Sequence, residues 1–191
     1  DAVHVLAESA RLAYADRSKH LGDPDYYDVP AEWLMSKAYA RELAAGIDLE
    51  RARPSSDVAP GVPPAYESPD TTHYSVMDQW GNAVSNTYTL GYSFGSGFVA
   101  EGTGILFDNQ MRNFSYSSGP DHKNSMAPGK RMLSTMSPTI VLDEDGKVSL
   151  VTGTPGGGRI INVILQVLVN VIDYGMNIAD ATQSRGGIHQ A

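Results

Sequence analysis

Apolar and polar residues follow a helical period through the first part of the chain. Apolar side chains recur at helical spacing from residue 3 to about residue 20, which predicts a helix that ends before Gly22-Asp23-Pro24. A second helical stretch follows Pro30 and stops at Gly46. Its apolar face contains Leu34, Met35, Ala38 and Leu43. From 47 to 70 the period is lost and five of the eleven prolines occur, which predicts an extended, exposed linker.

After residue 70 the period changes to two, which is typical of half-buried strands. Two hairpins are predicted, formed by residues 73–78 with 83–90 and by residues 139–142 with 147–152. Glycine-rich residues 91–104 and residues 115–131 are predicted loops. A helix from about Arg159 to Tyr174 is apolar nearly all round, so we expect it to be packed on several sides. The order of elements predicts an α+β layered domain.

Composition excludes several classes of function. Fourteen basic and 22 acidic residues give a net charge of -8 without a Lys/Arg cluster, which argues against nucleic-acid binding. Zero cysteines exclude disulfides, thiol nucleophiles and thiolate metal sites. The longest apolar run, 160–172, is shorter than the roughly 20 residues of a membrane span. The chain starts without Met or a leader, so we expect an internal part of a longer protein.

Two motifs resemble known ligand-binding sites, but each has a simpler structural interpretation. Glycines 156–158 before a helix are compatible with a nucleotide site, but no Gly-Lys-Ser/Thr follows, so a structural turn is the commoner case. Consecutive amides there could still hold the oxyanion of an acyl transfer. The acidic stretch 143–146 lacks a calcium-loop array and predicts a hairpin turn. We predict no metal site and no cofactor.

The remaining chemistry concerns hydroxyls and histidines. The five histidines share no metal-ligand spacing, and we expect His73 to lie along a strand without a chemical role. No Gly-x-Ser-x-Gly elbow supports a serine triad. Thr71-Thr72 stands where the predicted linker meets the first strand, and paired threonines alone indicate only strand propensity. A cut between Asp70 and Thr71 would give Thr71 a free α-amine beside its hydroxyl, which combines nucleophile and base.

Several blocks of residues occur in a fixed order along the chain and together form a more specific signal than any single motif. The blocks are Thr71-Thr72-His73-Tyr74-Ser75-Val76, Gly81-Asn82-Ala83-Val84, Thr87-Tyr88-Thr89-Leu90, Phe94-Gly95, Asn109-Gln110-Met111, Leu133-Ser134-Thr135-Met136-Ser137-Pro138-Thr139 and Thr152-Gly153-Thr154-Pro155-Gly156-Gly157. Further blocks are Ala13-Tyr14-Ala15-Asp16-Arg17, Leu21-Gly22-Asp23-Pro24 and Lys37-Ala38-Tyr39-Ala40 upstream and Asp173-Tyr174-Gly175 downstream. From one end of the chain to the other, these blocks resemble the γ-glutamyltranspeptidase family of N-terminal-nucleophile hydrolases.

The resemblance implies a four-layer αββα sandwich, incomplete in this chain, and a precursor that cuts itself before Thr71. Residues 1–46 would then be the helical end of the large subunit, 47–70 the linker to the processing site and 71–191 the catalytic region of the small subunit. The remainder of the large subunit, with an arginine for the substrate carboxylate, would precede Asp1.

The resemblance also implies roles for individual residues. Thr71 is the nucleophile, Thr89 hydrogen-bonds its hydroxyl, and Gly156 and Gly157 supply the oxyanion-hole amides. The γ-glutamyl group of glutathione or a related amide would pass to Thr71, then to water, an amino acid or a peptide. Self-cleavage would use the same hydroxyl on the Asp70 carbonyl.

The predicted substrate contacts depart from the family pattern. The family positions for the glutamyl α-amine and α-carboxylate fall on Gln110, Asn113, Ser134 and Thr135. Thr135 replaces a serine and keeps the hydroxyl, whereas Asn113 replaces an aspartate and turns a charge-assisted bond into a neutral one. Gly91 stands where bacterial members often have an asparagine. These changes favour acyl groups without the amine, such as the glutaryl group of cephalosporin acylase substrates.

The sequence leaves alternatives for the function and for the cellular location. The main alternative is a non-catalytic homologue that keeps the fold without maturing, and nucleotide binding at residues 156–158 is the third candidate. Family analogy implies a periplasmic or secreted protein, and the absence of cysteines is equally compatible with the cytoplasm.

Overall fold

The computed structural model describes residues 2–54, 57–58 and 71–184. These residues form two compact units, the first from 2–54, 57–58 and 113–133 and the second from 71–112 and 134–184. Within these ranges no helix combines the length and the apolarity that crossing a membrane requires. The predicted division into 1–46, 47–70 and 71–191 stays a prediction.

The first unit contains three helices and a long loop. The helices are α1 (Ala2–His20), α2 (Ala31–Leu34) and α3 (Lys37–Ala45). The second predicted helix is therefore divided, because the Ser36 hydroxyl accepts a hydrogen bond from the Tyr39 amide at 3.1 Å and caps α3. The break changes the helical phase, so the predicted common apolar face is wrong for Met35 and Ala38, which are exposed. Gly46 ends α3 as predicted.

The start of the predicted linker is hydrogen-bonded to α1. Arg11 donates from Nη1 to the Arg53 carbonyl at 2.6 Å, and His4 Nε2 lies 2.7 Å from the Asp48 carbonyl oxygen. Most residues of 47–54 are exposed, as predicted, yet this backbone is anchored rather than free. Residues 59–70, including Asp70, lie outside the described residues.

A buried carboxylate joins the two parts of the first unit. Asp23 accepts hydrogen bonds from the Arg131 backbone amide at 2.7 Å and from Arg131 Nη2 at 2.6 Å. The same guanidinium contacts Asp25, whose side chain is 72% exposed, whereas that of Asp23 is 1% exposed. The hydrogen bonds from Arg131 lower the pKa of Asp23 from 3.8 to about 2.

We expect Asp23→Asn to lower the unfolding temperature near neutral pH and to flatten its acid dependence. The pKa of Asp23 is lowered on folding, so its contribution to stability is complete above pH 3.8 and disappears as the pH falls toward 2. Differential scanning calorimetry between pH 2 and 7 measures this. Asp25→Asn is the matched control, and an equal effect of both variants would contradict the assignment to Asp23.

The second unit contains both predicted hairpins and two helices. Its elements are β1 (Thr71–Met77), β2 (Ala83–Thr89), β3 (Thr139–Leu142), β4 (Val148–Thr152), α4 (Ile160–Ile172) and α5 (Ile178–Gln183). Strands β1 and β2 are antiparallel, as are β3 and β4. The Asp143 carboxylate accepts hydrogen bonds from the amides of Asp145 and Lys147, which confirms the predicted turn.

The two hairpins contact each other through polar side chains. Ser85 Oγ donates to the Thr152 carbonyl at 2.9 Å and accepts from the Thr139 amide at 3.1 Å. On the facing strand, Ser75 Oγ donates to the Val151 carbonyl at 3.4 Å. Because side chains alternate along a strand, Thr71 lies on the same face of β1 as Ser75. The face that carries the candidate nucleophile therefore points toward β4.

Buried residues are distributed round most of helix α4. Ile160, Ile164 and Val167 are buried, whereas Val163 and Ile172 are 41% and 61% exposed. The buried positions agree with the predicted packing on several sides, and only these two residues of α4 are exposed. Asn162 and Asn170 are buried as well, and Asn170 donates to Ser184 Oγ at 2.8 Å near α5.

Candidate active site

Thr71 is the first residue of β1 and lies directly opposite Thr89, the last residue of β2. Facing residues of an antiparallel pair have β-carbons about 4.5–5.5 Å apart, so the two predicted site residues are neighbours. Thr89 Oγ1 also accepts a hydrogen bond from the Gly91 amide at 3.0 Å. Register and loop geometry thus place a second hydroxyl beside Thr71. A hydrogen bond from Thr89 to the nucleophile stays a prediction.

Gly91 holds the loop of Gln110 against the end of β2. Gly91 is buried with φ +87°, and a β-carbon there would lie 3.2 Å from the carbonyl carbon and oxygen of Asn109. Asn109 in turn donates its amide to the Leu90 carbonyl at 2.8 Å. Gln110 follows directly, opens a 3₁₀ turn and donates its amide to Asp108 Oδ1 at 2.8 Å. The predicted substrate residue Gln110 therefore belongs to the loop that is fixed near Thr89.

The predicted oxyanion glycines begin a 3₁₀ turn that leads into α4. Gly156 has φ +136° and Gly157 φ +58°, conformations that favour glycine. The buried Thr135 donates its hydroxyl to the Gly157 carbonyl at 3.1 Å. The structure thus brings Thr135 and Gly157 together and fixes the orientation of the glycine turn. Ser134 is exposed, and its Oγ accepts from the Met136 amide at 3.1 Å.

The contacts between β1 and the segment after β4 follow a regular progression. Ser75 contacts Val151, and the ring of His73 lies against Gly153. A step of two residues toward the start of β1, from Ser75 to His73, therefore corresponds to a step of two residues toward the C-terminus, from Val151 in β4 to Gly153 after it. The next step of this progression leads to Thr71 on one side and to Pro155, which directly precedes Gly156, on the other. An activated hydroxyl and its oxyanion donors must lie close together, and the proximity of Thr71 to Gly156 and Gly157 stays a prediction.

His73 forms a defined hydrogen-bond network on this face. Its Nδ1 lies 2.8 Å from Thr87 Oγ1 and its Nε2 lies 3.0 Å from Ser75 Oγ. Because Ser75 donates to the Val151 carbonyl, the network assigns the proton to Nε2 and leaves Nδ1 as the acceptor from Thr87. Burial lowers the pKa of His73, so the ring is neutral at pH 7.

The sequence placed His73 on a strand, which the structure confirms, but gave no indication of its contact with Gly153. The period of two was an available signal, because a residue two positions after Thr71 lies on the same strand face. Gly153 could not be paired with it, since 80 positions separate the two residues.

Asn113 belongs to the first unit, where its backbone carbonyl accepts a hydrogen bond from Nδ2 of the buried Asn124 side chain at 2.7 Å. Its predicted role at the substrate stays a prediction. Among residues 2–54, 57–58 and 71–184, no three His, Asp or Glu side chains converge in a way that could hold a metal ion.

Comparison with known proteins gives consistent matches. A family model described as γ-glutamyltranspeptidase matches residues 1–191. The glutathione hydrolase proenzyme of Escherichia coli (strain K12) is 52% identical over 198 residues, covering 100% of this chain and 34% of its own length. The chain therefore spans about a third of this curated relative.

Solved structures extend the likeness to the fold. γ-Glutamyltranspeptidase from Pseudomonas nitroreducens, complexed with L-DON, matches with TM-score 0.58 and 49% identity over 62% of this chain and 65% of its own. Cephalosporin acylase from Bacillus halodurans matches with TM-score 0.71 and 32% identity over 91% of this chain and 30% of its own. The predicted α+β fold class of the N-terminal-nucleophile type is confirmed.

Proposed function

Because the chain belongs to the γ-glutamyltranspeptidase family, we propose that its parent protein is a self-cleaving enzyme that transfers γ-glutamyl groups through Thr71. The observation that carries the proposal is the place of Thr71 at the start of β1, opposite Thr89 and on the face of β1 from which Ser75 contacts β4. The similar glutathione hydrolase proenzyme supports glutathione as a donor and a precursor that is processed.

Maturation would begin at the bond between Asp70 and Thr71. The Thr71 hydroxyl attacks the Asp70 carbonyl carbon, the C–N bond breaks, and an ester replaces the amide. Water then hydrolyses the ester, which releases the Asp70 carboxylate and leaves Thr71 with a free α-amine. The products are a large subunit that ends at Asp70 and a small subunit that begins at Thr71. The large-subunit remainder is thus the proposed partner.

Turnover would use the same hydroxyl on the substrate amide. The Thr71 α-amine takes the hydroxyl proton, Oγ1 attacks the γ-carbonyl carbon, and the leaving amine receives a proton. The amides of Gly156 and Gly157 are proposed to stabilise the negative oxygen. Water, an amino acid or a peptide then cleaves the ester and restores the hydroxyl. The chemistry needs no metal ion to activate the nucleophile.

The first experiment is the intact mass of the freshly purified parent protein, followed over hours at neutral pH, together with hydrolysis of a γ-glutamyl anilide. We expect one new N-terminus, at Thr71, and hydrolysis that increases with the cleaved fraction. An uncut, inactive chain would contradict the proposal and favour the non-catalytic homologue. Cleavage elsewhere would contradict the assignment of Thr71.

A second candidate activity is hydrolysis of glutaryl amides. It is favoured by Asn113, which replaces the family aspartate that pairs with the substrate amine, and by the likeness to the cephalosporin acylase. Gly91 supports it too, since the close Asn109 backbone leaves little room for the asparagine common in bacterial members. Faster turnover of a glutaryl than of a γ-glutamyl anilide would support this specificity.

We expect Asn113→Asp to raise kcat/KM for the γ-glutamyl anilide about tenfold relative to the glutaryl anilide. A carboxylate restores a charge-assisted bond to the α-ammonium, which the glutaryl group lacks, whereas both acyl groups carry the terminal carboxylate that it repels. About 1.4 kcal/mol of selective binding equals a factor of ten. Asn113→Ala is the control, because it removes the amide without adding charge. An unchanged substrate ratio in Asn113→Asp would contradict the proposed contact.

Family analogy supports a periplasmic or secreted location for the parent protein. Cell fractionation tests this: the cleaved form should accompany a periplasmic marker or appear in the medium, and recovery with a cytoplasmic marker would contradict it.

A further inference from the structure

The ring of His73 occupies the space beside Gly153. A β-carbon added to Gly153 would overlap Cε1 and Nδ1 of the ring and lie 2.7 Å from Nε2. The backbone of Gly153 does not have a positive φ, so the ring rather than the backbone conformation requires glycine at this position. The contact therefore fixes how closely β1 approaches the segment after β4.

Hydrogen bonds on both sides prevent the ring from turning away. Thr87 on β2 bonds Nδ1 at 2.8 Å, and Ser75 on β1 bonds Nε2 at 3.0 Å. Ser75 continues to the Val151 carbonyl at 3.4 Å, so the network reaches from β2 across β1 to β4. A side chain that is hydrogen-bonded at both ring nitrogens and packed on a backbone has one available position.

This contact joins the two segments that carry the groups which the proposed reaction must align. His73 is two residues from Thr71 on β1, and Gly153 is three residues from Gly156. We propose that His73 is a positioning residue: its ring, seated on Gly153, sets the distance between the Thr71 hydroxyl and the amides of Gly156 and Gly157. The inference rests on the proposed function, because Thr71 and the glycines act together only in that reaction.

A double-mutant cycle in the full-length parent protein tests the contact. The four proteins are wild type, Gly153→Ala, His73→Ala and the double variant. We expect kcat for the γ-glutamyl anilide to fall about 10- to 100-fold in Gly153→Ala with little change in KM, because misplacement by about an ångström costs turnover rather than binding. The double variant should recover part of this loss, since the new methyl group enters the space that the ring has left.

Thermal unfolding of the same four proteins measures the contact without reference to activity. The unfolding temperature should be lowest in Gly153→Ala and higher in the double variant. If Gly153→Ala yields no folded protein, recovery of folded protein in the double variant shows the same coupling. His73→Asn provides the conservative variant, because its amide can still bond Thr87, and its kcat should exceed that of His73→Ala.

Three outcomes would overturn the proposal. Additive effects of the two substitutions, in both unfolding and kcat, would mean that the ring does not determine the need for glycine. Coupling in unfolding with an unchanged kcat in an active enzyme would make His73 structural only. Coupling in unfolding with an inactive wild type would refute the proposed function itself and leave no reaction for His73 to align.

Discussion

Replacement of Thr71 by alanine is expected to leave the parent protein as one chain and to reduce γ-glutamyl anilide hydrolysis at least about 10³-fold. Alanine has no hydroxyl to attack the Asp70 carbonyl, so no free amine forms and no acyl ester follows. Thr71→Ser keeps the hydroxyl and should still cut itself and turn over. Intact mass and initial rates on the same samples measure both effects.

Thr72 is the matched control for Thr71. It is also a threonine of β1, but it is exposed and lies on the opposite face of the strand, paired with Tyr88. Thr72→Ala should therefore cut itself and hydrolyse substrate at nearly the wild-type rate. Equal loss in both variants would indicate damage to β1 in general. Normal cleavage in Thr71→Ala would refute the assigned nucleophile.

The sequence predicted the elements that depend on local patterns. The period of two and the turn residues identified both hairpins, because alternation and Asp-capped turns act within a few residues. The same reasoning missed the cap at Ser36, which divides the second helix. It also could not show that Val163 and Ile172 of α4 are exposed while Asn162 and Asn170 are buried, because composition does not reveal which positions a neighbouring segment covers.

The sequence predicted only part of the candidate site, and the reason for the missing part is physical. Thr71, Thr89 and the glycines came from a resemblance in motifs, and the hairpin register then explains why the two threonines are neighbours. Contacts between distant segments have no periodic signal in one sequence. The bond from Thr135 to the Gly157 carbonyl and the seat of His73 on Gly153 are of this kind.

The second large effect on kcat is expected from a substitution in the glycine turn, residues 156–158. We expect Gly156→Ala to lower kcat of the matured enzyme about 10²- to 10³-fold, the loss typical when one oxyanion donor is removed, with little change in KM. No atom lies within 4 Å of a β-carbon built at Gly156, yet φ is +136°, so alanine is strained by its backbone alone. Relief of that strain turns the peptide that carries the Gly157 amide away from the developing oxyanion.

Gly146→Ala is the control that distinguishes the loss of an oxyanion donor from the general effect of backbone strain. It has φ +78° and equally open surroundings, and it precedes β4 whereas Gly156 follows it. Gly146→Ala should therefore lower the unfolding temperature without lowering kcat, because a turn at the far end of a strand donates nothing to the reaction. Steady-state kinetics and calorimetry on both variants decide the matter. Equal loss of kcat in the two variants would contradict a donor role for the glycine turn and assign the effect to destabilisation.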